Sequence, residues 1–135
     1  MTRLWDYLRN PTRNEMREWA SKEKLGVQER AQLNQKLDML ERVGFDKAYN
    51  LGFLAGTTGG FNHIFKLRVR SQRMLRPMLC RGPVDPHGEV TLLCGAIEKD
   101  FKLDPPDATG RAEEHRRVLL DDQSGGKRRV AHERF

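Results

Sequence analysis

The chain is poor in cysteine. It has two, Cys80 and Cys94, and they form no CxxC pair. Its four histidines, His63, His87, His115 and His132, show none of the spacings of a metal site. Neither a metal nor another cofactor is implied. Aromatic residues are scarce, at 7%. No apolar run approaches the roughly 20 residues that cross a bilayer. A membrane partner is therefore not expected. The opening MTRLWDYLRN lacks the apolar stretch of a signal peptide. These absences predict a cytoplasmic protein, whose two cysteines read as buried thiols in a reducing compartment. The last absence is the most informative: from His63 to Arg81 there is no acid.

What that stretch holds instead is six cations: Lys66, Arg68, Arg70, Arg73, Arg76 and Arg81. Its first part alternates. Phe65, Leu67 and Val69 fall on one side of an extended strand, and Lys66, Arg68 and Arg70 on the other. A row of cations backed by apolar residues is a rigid surface for phosphates. The formal net charge of +6 is unevenly spread. Residues 61–81 carry +6, residues 82–122 carry −5, and residues 123–135 carry +3. A field focused on one strand region and one tail suits a polyanion, with RNA the first partner to consider.

A chain of 135 residues fits one domain. Leu4–Arg9 reads as an edge strand or extended lead-in. Thr12-Arg13-Asn14-Glu15 has capping-box spacing and starts a helix, with Met16, Trp19 and Ala20 on one face. Gly26 breaks it. A second helix is predicted over Val27–Val43, from Leu33, Leu37 and Leu40, and Gly44 stops it. These two helices read as a hairpin. Residues 44–60 lack periodicity. Strands follow at about His63–Arg70, Leu75–Cys80 and Val90–Ile97, the last two joined through the turn cluster Gly82–Gly88. A final helix covers about Ala108–Leu120. The expected fold is α+β: an N-terminal helix hairpin packed on a small antiparallel sheet, with a C-terminal helix. Residues 1–122 form the domain. Residues 123–135 form a basic tail, mobile unless Val130 and Phe135 dock.

The segments Phe65-Lys66-Leu67-Arg68, Leu75-Arg76-Pro77-Met78-Leu79 and Val90 to Lys99, with Pro105 before a helix that contains Ala112, together resemble the RelE/ParE toxin superfamily. The nearest likeness is to its HigB-like, phage-derived branch. That resemblance implies a small RelE-like domain. It also implies a metal-independent endoribonuclease that cuts mRNA on the ribosome and so inhibits translation. Its partners would be mRNA, the ribosome and a cognate antitoxin of helix-turn-helix type. The family often has Phe-x-Lys-Lys where this chain has Ala96-Ile97-Glu98-Lys99. That departure motivates an alternative, a non-catalytic phage protein that binds RNA, the ribosome or a host protein.

Metal-free RNA cleavage needs a base for the 2′-hydroxyl, cations for the phosphate and an acid for the leaving oxygen. Arg68 and Arg76 are the candidates to grip the phosphate, because guanidinium donates in pairs and stays charged. Glu98, Lys99 and His115 complete the candidate catalytic set. Lys66, Arg70, Arg73 and Lys99 are candidates for flanking phosphates, and Phe101 for base stacking.

Overall fold

The computed structural model describes residues 1–121 and 127–135. The expected junction of domain and tail, at residues 122–123, lies outside the described residues. The chain opens with β1 (Arg3–Asn10) and a two-residue bridge, β2 (Arg13–Asn14). Next is α1 (Glu15–Lys22). Its cap is Asn14, whose side chain accepts from the Arg17 N–H at 3.0 Å. The cap is not Thr12, because Arg13 and Asn14 still pair with β1 and the helix begins only at Glu15. α2 (Val27–Val43) ends at Gly44, whose φ of 86° favours glycine. α3 (Phe45–Asn50) follows directly; six residues are too few to show a period.

The strand region begins with β3 (Leu54–Gly56), β4 (Phe65–Leu67), β5 (Val69–Arg70) and β6 (Met74–Leu75). It continues through β7 (Met78–Arg81), β8 (Glu89–Cys94), β9 (Ile97–Lys99) and β10 (Lys102–Asp104). α4 (Ala108–Asp121) and β11 (Arg129–Ala131) are the last elements. Among the described residues, seven strands form one sheet in the order β11–β1–β8–β7–β4–β3, with β2 attached to β1. Four form a second sheet, β10–β9–β6–β5.

The expected fold is overturned on four counts. The main sheet is mixed and large, because β1 runs parallel to β8, Leu4 opposite Val90 and Asp6 opposite Leu92. β1 is an interior strand, flanked by β8 and β11. Helices cover both faces. Leu79 and Leu92 pack with Met16, Trp19, Leu33, Leu37 and Leu40 on one side. Their strand neighbours Cys80 and Leu93 pack with Ala108, Ala112 and Leu119 on the other. α1 and α2 do not pair as a hairpin. α1 lies over β1 and β8, whereas α2 packs on α3 and β5. The sheet supplies the apolar surface that each of them needs. Complete burial of Leu33, Leu37 and Leu40 contributes about 1.5–3 kcal/mol apiece.

One close approach fixes α1. A Cβ on Gly95 would lie 2.0 Å from the Trp19 indole, so only glycine lets that ring rest on the end of β8. At the other end of the sequence, β11 pairs antiparallel with β1, Trp5 opposite Ala131. His132 Nδ1 meets Asp6 Oδ1 at 2.9 Å. Asn34 clamps the Phe135 backbone, accepting its N–H at 2.8 Å and donating to its oxygen at 3.1 Å. The Phe135 ring packs against the core, and Val130 stays exposed. Among the described residues no helix is long and apolar enough to cross a membrane.

Candidate nucleic-acid interface

The basic stretch is divided between the two sheets. β4 belongs to the large sheet and β5 to the small one. Burial still alternates through both: Leu67 and Val69 are fully buried, and Arg68 and Arg70 are exposed. The cations then separate into three kinds.

The first kind is structural. Arg73 lies in the turn between β5 and β6 and reaches two acids. Its Nε and Nη2 hold Glu29 at 2.8 and 2.9 Å, and its Nη1 reaches Glu23 at 3.2 Å. It ties the small sheet to the end of α1 and the start of α2. The Arg73 guanidinium holds the Glu29 carboxyl below the usual range. Arg81 is likewise occupied, paired with Asp46 and stacked over the Phe45 ring.

The second kind surrounds one carboxylate. Lys66 Nζ donates to Glu98 Oε1 at 2.9 Å, and Arg76 Nη2 reaches Oε2 at 3.5 Å. Arg76 is buried, and its Nη1 donates to the Leu75 carbonyl at 3.0 Å. Among the described residues its Nε has no partner. The Lys66 hydrogen bond, with Arg76 adding, holds the Glu98 carboxyl below its ordinary range. Glu98 is therefore a firmly ionised acid and a weak base.

The third kind is exposed. Arg70 sits in a row across the small sheet with Met74, Glu98 and Leu103. Among the described residues Arg68 has one marginal contact, to the Gly52 carbonyl at 3.5 Å. Lys99 and Lys102 are exposed cross-strand partners that close the β9–β10 hairpin. Between them Asp100 and Phe101 both have positive φ, 52° and 64°, as a tight two-residue hairpin turn requires. An aromatic residue there is uncommon and costs of order 1 kcal/mol. Phe101 is 99% exposed, so its ring recovers none of that cost within the fold.

His115 lies apart from this face. It stacks on Tyr7, centroids 4.1 Å apart and planes 8° apart, and its Nδ1 meets the Leu93 carbonyl at 2.8 Å. Burial pushes its pKa down, so it is a neutral imidazole fixed in the α4–sheet contact. Of the candidate catalytic set, Arg76 and Glu98 come together, joined by Lys66. Arg68 and Lys99 are exposed, with no shared partner among the described residues, and His115 is elsewhere. His63 and His87 are exposed. Among the described residues no group of three His, Cys, Asp or Glu side chains is placed to hold a metal ion.

A second concavity was not visible in the sequence. A crevice of about 360 Å³ opens where β1 and β8 end side by side, lined by Arg9, Arg13, Glu15, Trp19, Lys22 and Arg111, among others. Arg9 and Arg13 lie in a segment whose formal charge is nearly balanced, so charge counting passes over them. The capping pattern at Thr12–Glu15 was the one signal near it. Comparison with protein-family models, with curated proteins and with solved structures gave no match for this chain.

Proposed function

We propose that the chain binds single-stranded RNA in the cytoplasm through the outer face of the small sheet and the tip of the β9–β10 hairpin. Arg68 and Arg70 contact phosphates on that face, Lys99 and Lys102 contact them where the strand passes around the hairpin end, and Phe101 stacks on a base. The observation that carries this is Phe101, wholly exposed on a constrained turn between two lysines. An aromatic ring flanked by cations is what a sequence-tolerant single-strand binder requires. Arg73 and Arg81 are excluded from the contact set, because carboxylates already occupy them.

The test is fluorescence anisotropy with a labelled mixed-sequence single-stranded RNA over a range of salt. Four phosphate contacts give a slope of log K against log salt of roughly −3, at about −0.7 per contact. Arg70→Ala should flatten that slope by about 0.7. Phe101→Ala should weaken binding by roughly 5- to 150-fold, the equivalent of about 1–3 kcal/mol of stacking. Salt-independent binding, or two silent variants, defeats the proposal.

A second reading is cleavage of ribosome-bound mRNA by a toxin restrained by an antitoxin. One observation favours it: Lys66 and Arg76 converge on one spot, around the Glu98 carboxylate, and paired cations are what a crowded phosphate needs. Primer extension on translated mRNA decides. Cuts that disappear in Glu98→Gln support it, and intact message with the parent protein removes it.

A further inference from the structure

We infer that the crevice at the ends of β1 and β8 is a binding site for a small phosphate-bearing metabolite that also offers an N–H or O–H donor. The topology makes the place. β1 and β8 are adjacent and parallel, so both leave the sheet at the same edge. The chain after β1 enters α1 on one face, and the chain after β8 passes through the β9–β10 hairpin before entering α4 on the other. Neighbouring parallel strands whose following helices go to opposite faces leave a crevice between them. That is where open α/β sheets bind ligands. The crevice is there, between Arg9 near the end of β1, Gly95 just past β8, α1, and Pro105 and Arg111 at the start of α4.

The lining sets the chemistry. Arg9, Arg13, Lys22 and Arg111 bring four positive charges, and Glu15 and Glu18 return two. The remaining acid, Glu23, is already held by Arg73. The surplus favours a phosphate, which guanidinium groups bind in pairs and which must here draw the exposed Arg9 and Arg13 away from Glu18. Five buried side-chain polar atoms lack hydrogen-bond partners among the described residues, and two of them bear on this place: Glu15 Oε2 and Trp19 Nε1. Both belong to side chains more than nine-tenths buried that line the crevice. Glu15 Oε1 is bonded by Arg111 at 2.7 Å. Its Oε2 has only Arg9 Nε, 3.2 Å away but misaligned. Orphaned buried groups are costly, and a ligand that satisfies them recovers that cost. Arg9 is the part open to solvent, being 40% exposed and shared between Glu15 and Glu18. When it turns to a phosphate, Glu15 Oε2 is free to accept a donor.

The experiment follows the two indole N–H resonances by NMR in the full chain. Trp5 is the internal reference, since its Nε1 is also buried and unpartnered but lies outside the crevice. The probes are inorganic phosphate, ribose 5-phosphate, adenosine 5′-monophosphate and adenosine. The expected result is a saturable shift of the Trp19 signal with both phosphomonoesters, a weaker one with inorganic phosphate, and none with adenosine. Arg13→Ala, which alters only a surface ion pair with Glu18, should weaken phosphomonoester binding roughly tenfold, as loss of a charge-assisted contact does. Phe101→Ala should leave it unchanged, which separates this site from the RNA face. If neither phosphomonoester moves the Trp19 signal, or if Trp5 moves equally, or if Arg13→Ala binds as the parent does, the inference is wrong.

Discussion

Replacing Gly95 with alanine tests the contact that joins α1 to the end of β8. The added Cβ would meet three atoms of the Trp19 indole at 2.0, 2.4 and 2.4 Å. Ordinary van der Waals contact begins about 1.1–1.5 Å farther out, near 3.5 Å. The ring has nowhere easy to go, since Trp19 is 7% exposed and packed among Met16, Leu33 and Leu92. Overpacking of this kind costs about 1–3 kcal/mol. Alanine also stiffens the unfolded chain, which offsets about 0.4–1 kcal/mol. The net expectation is a loss of about 1–2 kcal/mol, or a Tm lower by roughly 3–10 °C for a domain of this size. Urea titrations followed by circular dichroism measure it without relying on Trp19 emission. The decisive comparison is Gly95→Ala in a Trp19→Leu background, where the clash has no partner and the two costs should fall short of adding. A Gly95→Ala variant within about 0.5 kcal/mol of the parent, or strictly additive costs, would refute the contact.

Three other outcomes are expected. The folded Glu98 carboxyl titrates below an unfolded glutamate, so its stabilisation is present above about pH 4.3 and is lost as pH falls through the lower folded value. Glu98→Gln should cost about 1–3 kcal/mol at pH 7, by leaving Arg76 buried without its carboxylate, and should flatten the acid limb of stability; an unchanged limb counts against the ion cluster. The His115 pKa is also lowered in the fold, so its contribution is complete above about pH 6.5 and declines as pH falls through the folded value; His115→Phe should lessen the loss of stability on going from pH 7 to pH 5, and an identical profile would contradict the buried imidazole. Burial raises both thiols to about 12, so a disulfide reagent at pH 8 should find neither Cys80 nor Cys94 until urea unfolds the chain; rapid native labelling of either disagrees with the packing.

Local signals in the sequence carried a good deal of this fold. Leu33, Leu37 and Leu40 define α2, and Gly44 stops it. The alternation from Phe65 to Arg70 persists in the burial of Leu67 and Val69. What sequence could not convey was pairing. The parallel ladder of β1 and β8 joins residues more than 80 positions apart, and no local pattern encodes that choice. The three expected strands are each divided in two, because short segments such as Val69–Arg70 and Ile97–Lys99 leave the main sheet to build another. The site was legible only as charge. Whether an arginine is free depends on acids distant in sequence, as Glu29 holds Arg73 across 44 positions.

The pairing of β11 with β1 also bears on how the chain is made. Asp6 and His132 are 126 positions apart, so β1 leaves the ribosome long before the strand that covers its outer edge. During that interval the parallel pair of β1 and β8 presents a bare ladder of N–H and C=O groups, the kind of template that recruits other chains. Docking of residues 129–135 is thus a late, long-range step, slow to close by virtue of its separation. A nascent chain stalled short of Arg129 would be held together by the same core and yet be the form most exposed to aggregation.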